Sequence, residues 1–235
     1  MIDLRYTRNI PSISEPEQQR LQKSRVLIVG CGGLGGNILS QLLRIGIGAI
    51  TVIDGDCFEP TNLNRQLLCT QNTIGLPKVQ AAKNYARQIN PDISVTGLYT
   101  KLNDENCDEL VTGYDLALDA LDNIDSRRIL ARACEKASLP LVYGAICGWT
   151  AQVCVLMPDT AVNAIQRLYP AGSVLNDQSC LSFTPAVCAS IQAAEAVKLL
   201  LGKPSELIGQ LFTIDLLYGD QALVPICPVS HRSAQ

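Results

Sequence analysis

Apolar residues fall into two rhythms along this 235-residue chain: short unbroken runs, and stripes at helical spacing. Residues 26–29, Val-Leu-Ile-Val, form an unbroken run of the kind buried on both faces of a parallel sheet. Behind it Leu34, Ile38, Leu42 and Ile45 recur at helical spacing and stop at Gly46 and Gly48, so the pattern predicts strand, turn and helix in that order. "AITVID" predicts a second strand, ending on Asp54. The same alternation continues with a helix over 78–89, a strand over 93–99, a short helix near 104–111, a strand in "DLALDALD", a helix over 124–137 and a strand in "LPLVYGAI". It predicts an α/β fold, a Rossmann-like, doubly wound and mainly parallel sheet covered by helices. In the last third the rhythm changes. "TAQVCVLM" and "LFTIDLLYGDQALVPI", the latter bent into a hairpin at Tyr218-Gly219-Asp220, read as antiparallel strands extending the sheet, with a long helix over 185–201 ending at Gly202. Residues 158–184 show little periodicity and are expected to form a functional crossing loop or to be partly disordered.

Composition narrows the function classes. With 47% hydrophobic and 17% charged residues, the chain can bury about 70% of its unfolded surface, so one domain over 1–235 is expected, with 1–22 as an N-terminal arm and helix. A net charge of −3 supplies no broad basic field and argues against nucleic acid as a partner. No apolar run reaches the roughly 18 residues that span a bilayer. The opening residues are polar and lack a signal-peptide core, which predicts a cytoplasmic protein. Ten cysteines, none in a C-x-x-C pair, fit a reducing compartment; Cys147 and Cys154 sit in apolar runs and are expected to pack as small hydrophobes.

Candidate chemistry begins at "VLIVGCGGLGG", where Gly30, Gly32 and Gly35 fit G-x-G-x-x-G. The first allows a tight turn, the second lets backbone approach a phosphate, and the third lets helix and strand pack closely. Alone, this motif fits a dinucleotide for redox chemistry as well as a nucleoside triphosphate. The next segment favours the triphosphate. "DGDCFEPTNLNRQ" supplies Asp56, Asn62, Asn64, Arg65 and Gln66, and Lys78 opens the following helix. Cations and amides of this kind suit a triphosphate attacked at its α-phosphorus, whereas a redox site needs a proton donor and the one His is His231 near the C-terminus. Asp122, at the carboxyl end of a strand, lies where such sheets bind ligands and can hold Mg²⁺.

"GCGGLG", "DGDCFEPTNLNRQ", "GLPK", "DALDN" and "RYTRNI" together resemble the ThiF/MoeB/HesA family, bacterial relatives of ubiquitin-activating enzymes, over about 5–202. The resemblance implies an adenylyltransferase: a substrate carboxylate attacks the α-phosphate of Mg-ATP, giving an acyl-adenylate and pyrophosphate. It implies that Gly33 lies against the phosphates, that Asp54 takes the ribose, that Asn62, Arg65 and Lys78 hold the triphosphate, and that Asp122 binds Mg²⁺ with Asn123 beside it. Arg8 resembles the arginine that the family's homodimers insert into the partner's site, and Cys180 the loop cysteine that in some members forms a thioester or persulfide; near a helix N-terminus its thiol is expected to have a lowered pKa. The first of the two Cys pairs that bind zinc in many members is absent here and only Cys227 of the second remains, with His231 nearby, so no zinc is expected. The implied substrate is the C-terminal Gly of a ubiquitin-like sulfur carrier in thiamine- or molybdopterin-type cofactor biosynthesis; without the zinc pairs, a small-molecule or peptide carboxylate is an alternative. An NAD-dependent oxidoreductase and a non-catalytic partner-binding relative are the readings from other classes.

Overall fold

The structure, a computed structural model, describes residues 3–174 and 179–227. Its strands are β1 (Arg25–Val29), β2 (Ala49–Ile53), β3 (Ser94–Leu98), β4 (Leu116–Asp119), β5 (Leu141–Cys147), β6 (Thr150–Leu156), β7 (Gln210–Asp215) and β8 (Gln221–Pro225). They form one sheet in the order β3-β2-β1-β4-β5-β6-β7-β8. From β3 to β5 all neighbours are parallel. From β5 to β8 they are antiparallel, as the change of rhythm predicts. The helices are α1 (Glu15–Leu21), α2 (Gly33–Ile45), α3 (Lys78–Ile89), α4 (Cys107–Leu110), α5 (Ile124–Lys136), α6 (Ala161–Leu168) and α7 (Phe183–Leu201).

The unbroken apolar runs are explained by a core on each side of the sheet. Successive side chains of a strand point to opposite faces. Val26 and Ile28 of β1 accordingly enter the core built with α2, α3 and α7, while Leu27 and Val29 enter the one built with α5 and α6. Two elements depart from the expectation. Residues 158–184 contain the helix α6, where Ala161, Ala164 and Ile165 are buried with i, i+3, i+4 spacing; one short stripe among polar residues is too brief to stand out as periodic. And α7, 19 residues long, is long and apolar enough by length and composition to cross a membrane, although Thr184, Ser190, Gln192, Glu195 and Lys198 interrupt it and it is no unbroken apolar run. It is a core helix here, with Cys188, Ala189, Ala193 and Ala196 packed in the first core.

The N-terminal arm is fastened to the sheet's end. A 3-10 turn over Leu4–Asn9 buries Tyr6, whose hydroxyl accepts from Asn90 Nδ2 at 2.7 Å. Gly46, which ends α2 at φ 92°, gives the ring its room, since a Cβ there would stand 2.7 Å from the Tyr6 ring. Arg5 reaches Asn90 and Asp92, and Arg8 of the same turn is left exposed.

Candidate active site

In the sheet order, β1 lies between β2 and β4, and this is where the connections switch from one face to the other. Open α/β sheets bind ligands at the carboxyl ends of the strands at such a point. A cleft of about 600 Å³ opens there, lined by residues at or just past the carboxyl ends of β1, β2, β3, β4 and β5.

Its floor is the glycine turn. Gly30 has φ 98°, and a Cβ on it would stand 2.4 Å from the Ala120 carbonyl oxygen, so β1 and β4 approach closely enough only with glycine there. A Cβ on Gly35 would stand 2.0 Å from the Gly30 carbonyl oxygen, which is how α2 seats against the strand end. Gly32 is the N-cap of α2 and brings no side chain to its first N–H groups; no acidic residue stands in the first turn. Those unsatisfied donors and the positive end of the helix dipole face the cleft, an anion site by construction.

Cations and carboxylates surround the turn. Lys78, almost buried at the start of α3, lies 3.3 Å from Asp56 and 3.8 Å from Asp54. Asp54 accepts from the N–H of Cys31 at 2.7 Å and from that of Asp56 at 2.8 Å, so both of its oxygens hold the loop. Burial pushes the Asp54 carboxyl up, against the pull of Lys78 and these two bonds. Burial also works on Asp56, but Lys101 and Lys78 outweigh it and hold that carboxyl below the usual range. Arg65 lines the cleft beside Gln66, whose side chain is buried with Oε1 unpaired. Asp122 and Asn123 form the opposite wall; Asp122 is exposed and makes no ion pair among the described residues. Asn123 is the N-cap of α5, accepting from the N–H of Ser126 at 2.8 Å. The donor set fits a triphosphate with a divalent cation: N–H groups, Lys78 and Arg65 for phosphate oxygens, and an unpaired carboxylate at Asp122 for the metal.

Some expected site residues stand elsewhere. Asn62 does not line the cleft: its Oδ1 accepts from the N–H of Glu59 at 3.0 Å and closes the 3-10 turn Pro60–Asn62. Asn64 likewise braces the loop, donating to the Cys180 carbonyl at 3.0 Å and accepting from Arg65 at 2.9 Å. Arg8 is far along the arm and absent from the lining. Cys180 does line the cleft, but burial pushes its thiol up, against the pull of Arg65, rather than down. Cys147 is exposed and lines the cleft instead of packing in the core, because β4 pairs with β5 only at Leu141 and Val142 and leaves the far end of β5 as a wall. Cys154 is buried as expected. His231 lies outside the described residues.

Sequence motifs miss two functional candidates. Lys101, just past β3, lines the cleft and lies 3.2 Å from Asp56. Arg127 is buried in the first turns of α5, donating to Asp119 at 3.0 Å, to the Gly144 carbonyl at 2.9 Å and to the Leu121 carbonyl. Its guanidinium stands 4.9 Å from the Tyr143 ring centre, and the Tyr143 and Tyr169 hydroxyls bond at 2.7 Å. Burial works against its charge, but Asp119 more than offsets this and holds it protonated. A signal for it does exist in the sequence: Arg127, Leu130, Ala131 and Cys134 share one helical stripe, and an arginine on an apolar stripe is an anchored one.

Comparison with known proteins gives the family and the fold. The ThiF family model matches residues 6–235, beyond the 5–202 of the motif resemblance. The SAMP-activating enzyme E1 of Haloferax volcanii is 35% identical over 96% of this chain and 87% of its own length. The sulfur carrier protein adenylyltransferase of Thermus thermophilus is 34% identical over 96% of this chain and 89% of its own. Among solved structures, E. coli MccB crystallised with ATP superposes with a TM-score of 0.83 over 97% of this chain and 73% of that one, at 22% identity, a likeness of fold.

Proposed function

Because the chain belongs to the ThiF family and is an ATP-using adenylyltransferase, we propose that it activates the C-terminal glycine carboxylate of a ubiquitin-like sulfur-carrier protein. The single observation that carries the site assignment is the uncapped N-terminus of α2 opening into a cleft that also holds Lys78, Arg65 and the unpaired Asp122. In this reading the N–H groups at Gly32 and Gly33, with Arg65 and Lys78, bind the phosphates, Asp54 and Asp56 face the ribose end, and Gln66 offers its free Oε1. Asp122, with Asn123 beside it, would hold Mg²⁺, which when bound neutralises phosphate charge. The substrate carboxylate needs no general base, since a C-terminal carboxyl titrates at about pH 3.5 in water and is ionised at neutral pH. Its oxygen bonds to the α-phosphorus as the bond to the β-phosphate's bridging oxygen breaks, and pyrophosphate leaves with that electron pair. The protein's part is to position two anions and stabilise the charge on the leaving group.

The reading includes a homodimer, a cytoplasmic setting, and no structural zinc; elemental analysis of the purified protein should find less than one zinc per chain. ATP–pyrophosphate exchange, screened against sulfur-carrier proteins and small carboxylic acids, is the decisive measurement. Exchange with carriers alone supports the proposal, exchange with a small acid alone replaces the substrate, and no exchange with any carboxylate leaves a partner-binding relative. Mg-ATP at a hundred times its dissociation constant should add about 2.7 kcal/mol of stability. A shift given by NAD instead would overturn the triphosphate assignment.

A further inference from the structure

The loop leaving β2 carries two carboxylates, Asp54 and Asp56, and Lys78 stands 3.8 Å from the first and 3.3 Å from the second. One ammonium cannot balance two carboxylates, so an anion brought to this end of the cleft would meet a net negative rim. Lys101 supplies the second cation. It follows the end of β3, lines the cleft, and places its Nζ 3.2 Å from the Asp56 oxygen that Lys78 does not take. Asp56, bonded to it, with Asp54 and Asp122 nearby, holds its ammonium above the ordinary lysine range, so carboxylates on both sides of the cleft act on it.

The loop makes room for this lysine. A Cβ on Gly55, between the two aspartates, would stand 2.5 Å from Lys101 Cγ and 3.1 Å from its backbone N. Folding stability does not account for the pair: 75% of the Lys101 side chain and 51% of that of Asp56 are exposed, and ion pairs in that setting contribute little. An ammonium carries three donors, and Asp56 is the one ion-pair partner of Lys101 among the described residues, which leaves donors for a ligand. Across the sheet from the α2 N-terminus after β1, the β2 loop comes first and Lys101 after β3 next, on the side of the nucleoside rather than of the terminal phosphates. We infer that Lys101 is a nucleotide-binding residue that neutralises the rim at Asp56 and donates to the α-phosphate, the one phosphate shared by ATP, AMP and an acyl-adenylate. It thereby retains the adenylate once pyrophosphate has left. This rests on the adenylation reading above.

The test is calorimetric titration of wild type, Lys101→Met and Lys101→Arg with adenosine, AMP and Mg-ATP. Lys101→Met should weaken AMP at least about tenfold, the scale of one charge-assisted bond. Mg-ATP should weaken by the same factor within about twofold, because salt screens the more distant phosphates. Adenosine should be unaffected, the unfolding temperature of the free protein unchanged, and Lys101→Arg should recover most of the affinity. A loss for Mg-ATP alone would move Lys101 to the terminal phosphates, a loss for adenosine as well would make its role one of loop structure, and no loss would make it a surface charge; each overturns the inference. Wild-type protein that binds neither nucleotide overturns the triphosphate site and this inference together, whereas the expected pattern without pyrophosphate exchange would support Lys101 and count against adenylation.

Discussion

Arg127 directs its guanidinium into the protein, joining Asp119, the Leu121 and Gly144 carbonyls and the Tyr143 ring. It thereby fixes the strand end that carries Asp122. Arg127→Met leaves Asp119 buried and unpaired, and is expected to cost about 3–5 kcal/mol in urea unfolding. Arg127→Lys keeps a charge without the forked geometry and should recover part of that loss; equal losses for the two would show that geometry, not charge, is what matters. Cys180 has the opposite character. With its thiol pushed up by burial, alkylation by iodoacetamide at this residue, followed by peptide mass mapping, should be slow at pH 7 and still climbing above about 8.5, the ordinary thiol value. A plateau below pH 7 would show a lowered pKa. Acyl-adenylate formation needs phosphate contacts and no thiol, so Cys180→Ala should keep pyrophosphate exchange.

At the scale of elements, the junction of β1 and α2 separates two kinds of glycine. A methyl on Gly30 meets the Ala120 carbonyl oxygen at 2.4 Å in a backbone with φ 98°. Gly30→Ala should therefore lose about 3 kcal/mol or more in stability. At Gly32 the methyl would stand 3.5 Å from Gln66 Nε2, an ordinary contact, but at the mouth of the helix N-terminus. Gly32→Ala should stay within about 1 kcal/mol of wild-type stability and lose at least about tenfold in ATP affinity by calorimetry. Equal effects of the two substitutions would remove the distinction. Asn123 divides the same way: Asn123→Ala loses the α5 cap and about 1 kcal/mol, and Asn123→Ser should restore stability.

For the whole molecule the open matter is assembly. The arm is held by Tyr6 and Arg5, and Arg8, exposed on it, does not line the chain's own cleft. In a two-fold dimer an arm of this kind can serve the neighbouring site. Arg8→Ala and Asp122→Ala should each be nearly inactive in exchange, with losses on the order of 10³-fold. Mixed under conditions that allow subunits to exchange, they should regain about a quarter of wild-type activity, because half the dimers are mixed and each holds one intact site. No recovery on mixing would place Arg8 outside the partner's site.

Local pattern determined most of the elements, because burial on two faces makes continuous apolar runs and burial on one face makes helical stripes. β1, α2, β2 and α3 are all legible that way, and so is the placing of Gly30, Gly32, Lys78 and Asp122 at the cleft, since glycine turns and strand ends stand at fixed offsets from such runs. What tertiary structure decided is which polar side chains face the cleft and which face the loop. Asn62 and Asn64 belong to the same motif as Arg65 and Gln66, but a 3-10 turn and the Cys180 carbonyl claim them. Lys101 and Arg127 come from strands and helices distant in sequence, and meet the cleft only because β1 sits between β2 and β4. The direction of the Cys180 shift also lies beyond sequence: proximity to a helix start favours the thiolate, desolvation disfavours it, and only the packed loop says which is larger.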